Sequence, residues 1–131
     1  MKIATVESFT GGLMAAKITS MPGASKYYKG SLISYSNEIK ELLGVDTSNG
    51  VINEKVALEM ALKGKEYFNV DLCISFTGNA GPTAMENKPI GEVYIAFNDE
   101  VYPLTLKGTR EEIRNQAVEF AWEKLQEIKN D

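Results

Sequence analysis

Apolar residues fall along this chain in two alternating rhythms. Lys2 to Val6 is a short apolar run and reads as a buried strand. From Leu13 to Thr19 the spacing turns helical, and Pro22-Gly23 then marks a turn. Ser25 to Tyr28 has room for one helical turn, and Gly30 to Tyr35, carrying Leu32 and Ile33, predicts a second strand. Ser36 or Asn37 caps a short helix that runs to Leu43 and stops at Gly44. After a loop through Ser48-Asn49-Gly50, Asn53 caps a longer helix over 54–68. Val56, Met60, Ala61 and Gly64 form its inward side.

Val70 to Phe76 is almost wholly apolar and so predicts a central strand covered on both faces. A polar loop spans 77–88. Glu92 to Phe97 and Val101 to Leu106 are then joined by only Asn98-Asp99-Glu100, which requires an antiparallel hairpin. Thr109-Arg110-Glu111-Glu112 is a capping box opening the last helix. Ile113, Ala117, Phe120, Ala121, Leu125 and Ile128 make its core stripe, with Val118 and Trp122 off that stripe and free for a subunit contact. Helices between the early strands imply parallel crossovers. The expected architecture is a single α/β domain over 1–131, a mixed five-stranded sheet between helical layers.

Composition narrows the chemistry. The chain has 131 residues, a net charge of −4 and no histidine. The mild negative charge argues against nucleic acid as the main partner. No stretch has the length of a membrane span, none of the first residues resembles a secretory leader, and one cysteine, Cys73, suits a reducing, cytoplasmic setting. Without histidine, Ser-His-Asp and Cys-His catalysis and histidine-based zinc sites are excluded within the chain. A hydrolytic base would have to be Lys, Asp, Glu or Tyr.

Four places carry candidate chemistry. Ser8, followed by Thr10, Gly11 and Gly12, lies where a strand gives way to a helix, a position outside the carboxyl end of a sheet strand where ligands bind. Free N–H groups at that helix start would favour an anion or an oxyanion. Read alone, Ser8 or Thr10 is as simply a helix cap. Tyr35 and Lys40 flank a second strand-to-helix junction, where Lys40 leans back toward the strand end or merely sits in solvent beside Glu38 and Glu41. Thr77 and Gly78 open the small-residue loop Thr77-Gly78-Asn79-Ala80-Gly81-Pro82, suited to wrapping a ligand or to plain turns. Arg110 opens the last helix against the dipole's preference for anions, as a phosphate partner would require; pairing with Glu111 or Glu112 is the alternative.

The combined sequence resembles the CinA C-terminal domain family, the nicotinamide-nucleotide amidases. The resemblance rests on Glu7-Ser8-Phe9-Thr10-Gly11-Gly12, on Gly30 through Lys40, on Leu43-Gly44-Val45, on Thr77 through Pro82, on Lys88-Pro89-Ile90-Gly91, on Gly108-Thr109-Arg110 and on Arg114-Asn115-Gln116-Ala117. These segments keep the family's order over nearly the whole chain. The resemblance implies a three-layer α/β/α sandwich with a mostly parallel five-stranded sheet. It implies deamidation of nicotinamide mononucleotide to nicotinate mononucleotide and ammonia, without metal or organic cofactor. Ser8 matches the nucleophile, Lys40 the base and Tyr35 an assisting tyrosine, while Thr77 and Arg110 match further active-site positions. A homo-oligomer, dimer or trimer, is also implied. The chain departs from the family at Phe9, where cysteine is frequent, at Asn79 and at Ala84-Met85, and it begins almost at the strand that a helix usually precedes. The rival expectation is a noncatalytic nucleotide-binding module that keeps the pocket and acts in regulation or assembly.

Overall fold

The computed structural model describes residues 1–130. Its elements in chain order are β1 (Ile3–Glu7), α1 (Leu13–Thr19), a 3-10 turn (Ala24–Lys26), β2 (Tyr28–Ile33), α2 (Asn37–Leu43), α3 (Glu54–Phe68), β3 (Leu72–Gly78), β4 (Glu92–Phe97), β5 (Glu100–Thr105) and α4 (Arg110–Lys129). The sheet runs β2-β1-β3-β4-β5. β1 pairs in parallel with β2 and with β3, whereas β3–β4 and β4–β5 are antiparallel. Four strands therefore point one way and β4 alone is reversed, giving the mixed, mostly parallel sheet of an α/β fold.

Every residue of β1 is buried, as are those of β3 up to Thr77, because both faces of these central strands are covered. Ile3, Ile74, Phe76, Val93, Ile95 and Phe97 pack on one face beneath α1 and α4. Ala4, Val6 and Cys73 face the other way, onto Val56 and Met60 of α3. Gly64 lets α3 approach the sheet: a Cβ there would lie 2.4 Å from Val6 and 2.6 Å from Cys73.

The structure shifts several boundaries. β2 begins at Tyr28 and ends at Ile33, so Ser34 and Tyr35 belong to the turn into α2 rather than to the strand. Only one ladder bond, from Ser34 N–H to the Glu7 carbonyl (2.8 Å), extends beyond it. Val70 is not strand; its N–H closes the end of α3 on the Lys65 carbonyl, after Asn69 turns into the left-handed region. The hairpin turn shortens to Asn98-Asp99, with Asn98 at φ 56°. Val118 is buried in the core and Trp122 packs against it, beneath Lys17. The expectation that these two residues stand free for a subunit contact is thus corrected; a 20-residue helix lying across α1 buries a stripe wide enough to include them.

Candidate active site

The parallel arrangement brings the ends of β1 and β2 side by side, with Glu7 opposite Ile33. Ser8 leaves β1 with its N–H on the Phe76 carbonyl (3.0 Å). One strand over, Ser36 caps α2 by accepting from Ile39 N–H. Lys40, one turn in, points back between the two strand ends. Its Nζ lies 2.9 Å from Ser8 Oγ, 2.6 Å from the Ser34 carbonyl and 3.2 Å from the Tyr35 carbonyl. Lys40 is 1% exposed and Ser8 8%. Two residues 32 apart in sequence are thereby joined in a buried pair, which rules out the reading of Lys40 as a solvated helix lysine.

This geometry accommodates both protonation states of the amine. As an ammonium, Lys40 donates to all three oxygens. As a neutral amine, it keeps two donations to the carbonyls and turns its lone pair on the Ser8 hydroxyl. Burial brings the ammonium down from 10.5 to about 8, and the Glu86 carboxylate opposes that shift. Arg110 does not contribute, so burial rather than a neighbouring cation tunes this lysine.

Glu7 is the residue that sequence reasoning missed in its true role. It is fully buried. Its carboxylate accepts from Thr5 Oγ1 (2.8 Å), Thr10 Oγ1 (2.9 Å) and the N–H groups of Gly12, Met14 and Ala15 (each 3.0 Å). α1 has Gly12 at its N-cap with no capping side chain of its own, so Glu7 satisfies the helix start from the preceding strand. A charged residue ending an otherwise buried strand, ahead of a helix without a polar cap, was the available signal. Two expectations are corrected by this. The N–H of Gly12 is not open to an anion, and Thr10, 0% exposed, spends its hydroxyl on Glu7. Glu7 is likewise too fully engaged to be a base.

The other candidates divide. Gly11, at φ 59°, is exposed beside Ser8, with its N–H on the Ser8 carbonyl at 3.1 Å. Thr77 is completely buried and donates to the Val51 carbonyl at 2.6 Å, so its hydroxyl braces the segment ahead of α3 and does not face a ligand. Gly78 lies against Val93, whose Cα would be 2.7 Å from an added Cβ. Tyr35 is 62% exposed; its carbonyl meets Lys40, but its hydroxyl accepts from Arg110 Nη2 at 3.2 Å. A tyrosine hydroxyl bonded to both Ser8 and Lys40 is therefore not the arrangement found. Arg110 also donates to the Gly81 carbonyl at 2.6 Å, and forms no ion pair among the described residues, leaving its charge uncompensated by Glu111 or Glu112.

Two further groups frame the site. Glu86, at the tip of a small hairpin closed by Met85 and Lys88, accepts from the N–H groups of Val51 and Ile52 and so ties the 79–91 loop to the segment before α3. The Ser34 hydroxyl is fully buried with no partner among the described residues. A surface groove of about 520 Å³ lies elsewhere, lined by residues that include Leu32, Ile39, Leu42, Lys63 and Tyr67. No cluster of metal-binding side chains occurs among the described residues. No helix among them is long and apolar enough to cross a membrane.

Comparison with known proteins identifies the family and the fold. The model of the CinA C-terminal domain matches residues 1–129. A competence-damage inducible protein of Geobacillus sp. (strain WCH70) is 39% identical over 128 residues, which cover 90% of this chain and 31% of that protein. A CinA-like protein of Mycolicibacterium paratuberculosis is 38% identical over 147 residues, covering 99% of this chain and 33% of its own length. This chain thus spans about a third of these relatives. Among solved structures, a CinA superfamily protein from Enterobacter cloacae superposes with a TM-score of 0.91 at 25% identity, over 95% of this chain and 80% of that one. The competence/damage inducible protein CihA from Agrobacterium tumefaciens gives 0.89 at 30%, over 98% and 86%.

Proposed function

The chain belongs to the CinA C-terminal domain family, and from that premise we propose that it is a nicotinamide-nucleotide amidase, converting nicotinamide mononucleotide and water to nicotinate mononucleotide and ammonia. The observation that carries the reading is the buried pair of Lys40 Nζ and Ser8 Oγ, 2.9 Å apart, in a chain without histidine. A serine next to a lysine poised near neutrality has the parts of an activated nucleophile.

In this mechanism neutral Lys40 takes the Ser8 proton as Oγ attacks the carboxamide carbon. The carbonyl electron pair moves onto oxygen, forming a tetrahedral oxyanion. The oxyanion collapses, the C–N bond breaks, and the Lys40 ammonium protonates the departing nitrogen, releasing ammonia and leaving an ester on Ser8. Lys40, neutral again, takes a proton from water, which attacks the ester; the proton then returns to Ser8 Oγ as the acid leaves. No step requires a metal or cofactor. Arg110, exposed at the site's rim and bonded only to neutral oxygens, is the group suited to the substrate phosphate. A cytoplasmic setting, where pyridine nucleotides are found, is part of this reading.

A noncatalytic nucleotide-binding module would keep the pocket without needing a lysine of lowered pKa. The test is ammonia release from nicotinamide mononucleotide, with nicotinamide and its riboside as controls. Activity in the parent and none in Ser8→Ala, with binding retained, supports the amidase. Binding without ammonia in the parent selects the module.

A further inference from the structure

Arg114 lies one turn into α4 and reaches across to the loop that follows Ser8. Its Nε donates to the Phe9 carbonyl at 3.0 Å and its Nη2 to the Thr10 carbonyl at 3.1 Å, contacts spanning more than a hundred residues of sequence. Gly11 makes room for this fork: a Cβ there would stand 3.2 Å from Arg114 Nη2, at a φ of +59° that already favours glycine.

The carbonyl and N–H of a trans peptide point in opposite directions. Holding the Phe9 carbonyl toward α4 therefore turns the Thr10 N–H away from it. The preceding peptide is fixed as well, because the Ser8 carbonyl accepts from Gly11 N–H at 3.1 Å. The N–H groups further along all have acceptors: Gly11 on Ser8, Leu13 on Thr10, and Gly12, Met14 and Ala15 on Glu7. Of the N–H groups from Phe9 to Ala15, only the two nearest the nucleophile, those of Phe9 and Thr10, have no acceptor among the described residues. A guanidinium on a carbonyl also polarises that peptide and strengthens its N–H as a donor.

We propose that Arg114 is a positioning residue that fixes the Phe9–Thr10 turn so that the Phe9 N–H, the one of the two not fully buried, serves as an oxyanion-hole donor beside Ser8. The proposal rests on the reading of Ser8 as a nucleophile. It differs from the role of Arg110, which faces the 79–91 loop and Tyr35.

The experiment measures the rate at which an alkyl fluorophosphonate labels Ser8. Oγ attacks phosphorus, fluoride leaves, and the phosphoryl oxygen draws on the same hydrogen-bond donors as a carboxamide oxyanion. Arg114→Gln should label roughly 10²-fold more slowly, the loss expected when one such donor is misplaced. Arg114→Lys, which keeps the charge but loses the fork, should label at an intermediate rate. Calorimetric affinity for nicotinamide mononucleotide should stay within about threefold, since the hole acts on the transition state and not on the bound substrate. Free guanidinium ion should restore part of the labelling rate of Arg114→Ala. If Arg114→Gln, or Arg114→Lys should the glutamine variant not fold, labels at the parent's rate, the proposal is overturned while the amidase reading stands. If parental Ser8 takes no label, the nucleophile reading falls and the proposal with it.

Discussion

Lys40→Met removes the amine and keeps the buried stem, and the consequence for stability follows from the structure. Lys40 titrates at about 8 when folded and at 10.5 when free in water. Between those values the unfolded chain holds more protons than the folded one, so folding becomes more favourable as pH rises. Below pH 8 the full cost of burying a charge applies, about 3 kcal/mol for a shift of this size. Above 10.5 none of it remains. Other groups titrate in the same range, but they are shared by parent and variant and cancel in the difference. Urea unfolding of both proteins from pH 7 to pH 10 should therefore show the parent gaining about 2–3 kcal/mol relative to Lys40→Met. The same lysine sets the rate. At pH 7 roughly a tenth of the protein would carry a neutral amine, so activity should climb about tenfold toward pH 9 through one ionisation. A stability difference flat to within about 1 kcal/mol would mean that Lys40 is not shifted, and an unshifted lysine cannot accept the Ser8 proton near neutrality.

Three further outcomes are expected. Arg110→Ala should raise KM for the mononucleotide roughly tenfold with little change for the riboside, since one charge-assisted phosphate contact is worth about 1.5–3 kcal/mol and Arg110 is exposed; equal effects on both substrates would dismiss phosphate recognition. Gly64→Ala should lower stability by about 1–3 kcal/mol in denaturant unfolding, because its methyl would overlap Val6 and Cys73 in the sheet; a neutral result would mean that α3 is free to move outward. A homo-oligomer is expected in sedimentation, now on the grounds of Leu42 (78% exposed) and Tyr67 (68%) beside the β2 edge rather than of Trp122; a monomer at high concentration would contradict it.

The elements and their order were legible because each carried its own punctuation: Asn53 and Thr109 as caps, Gly44 as a stop, and Asn98-Asp99-Glu100 as a hairpin connection, one residue longer than the turn found. Ser8 and Lys40 were legible as neighbours because both follow strands that helical crossovers force to run parallel. Side-chain direction was not. The strand ends two residues before Tyr35, which aims the ring at Arg110 instead of at the nucleophile. Arg114 takes its partners from a loop more than a hundred residues away, a pairing that nothing local records, whereas Glu7 and Thr10 pair within eight residues and only the direction of their side chains was hidden. Thr77 shows the same limit from the other side, since its family position suggested a ligand contact and its hydroxyl is turned into the Val51 carbonyl.

The central claim is that Ser8 carries a covalent acyl intermediate, and hydroxylamine tests it most directly. An ester on Ser8 partitions between water and hydroxylamine after ammonia has already left. Incubating the protein with nicotinamide mononucleotide and increasing hydroxylamine, while following ammonia and the hydroxamate of nicotinate mononucleotide together, separates the two steps. The account predicts that hydroxamate replaces acid as hydroxylamine rises, that ammonia release does not fall, and that Ser8→Ala forms neither product. Ammonia released at the parental rate with no hydroxamate at any hydroxylamine concentration would contradict it, because water would then be attacking the carboxamide without an acyl-enzyme.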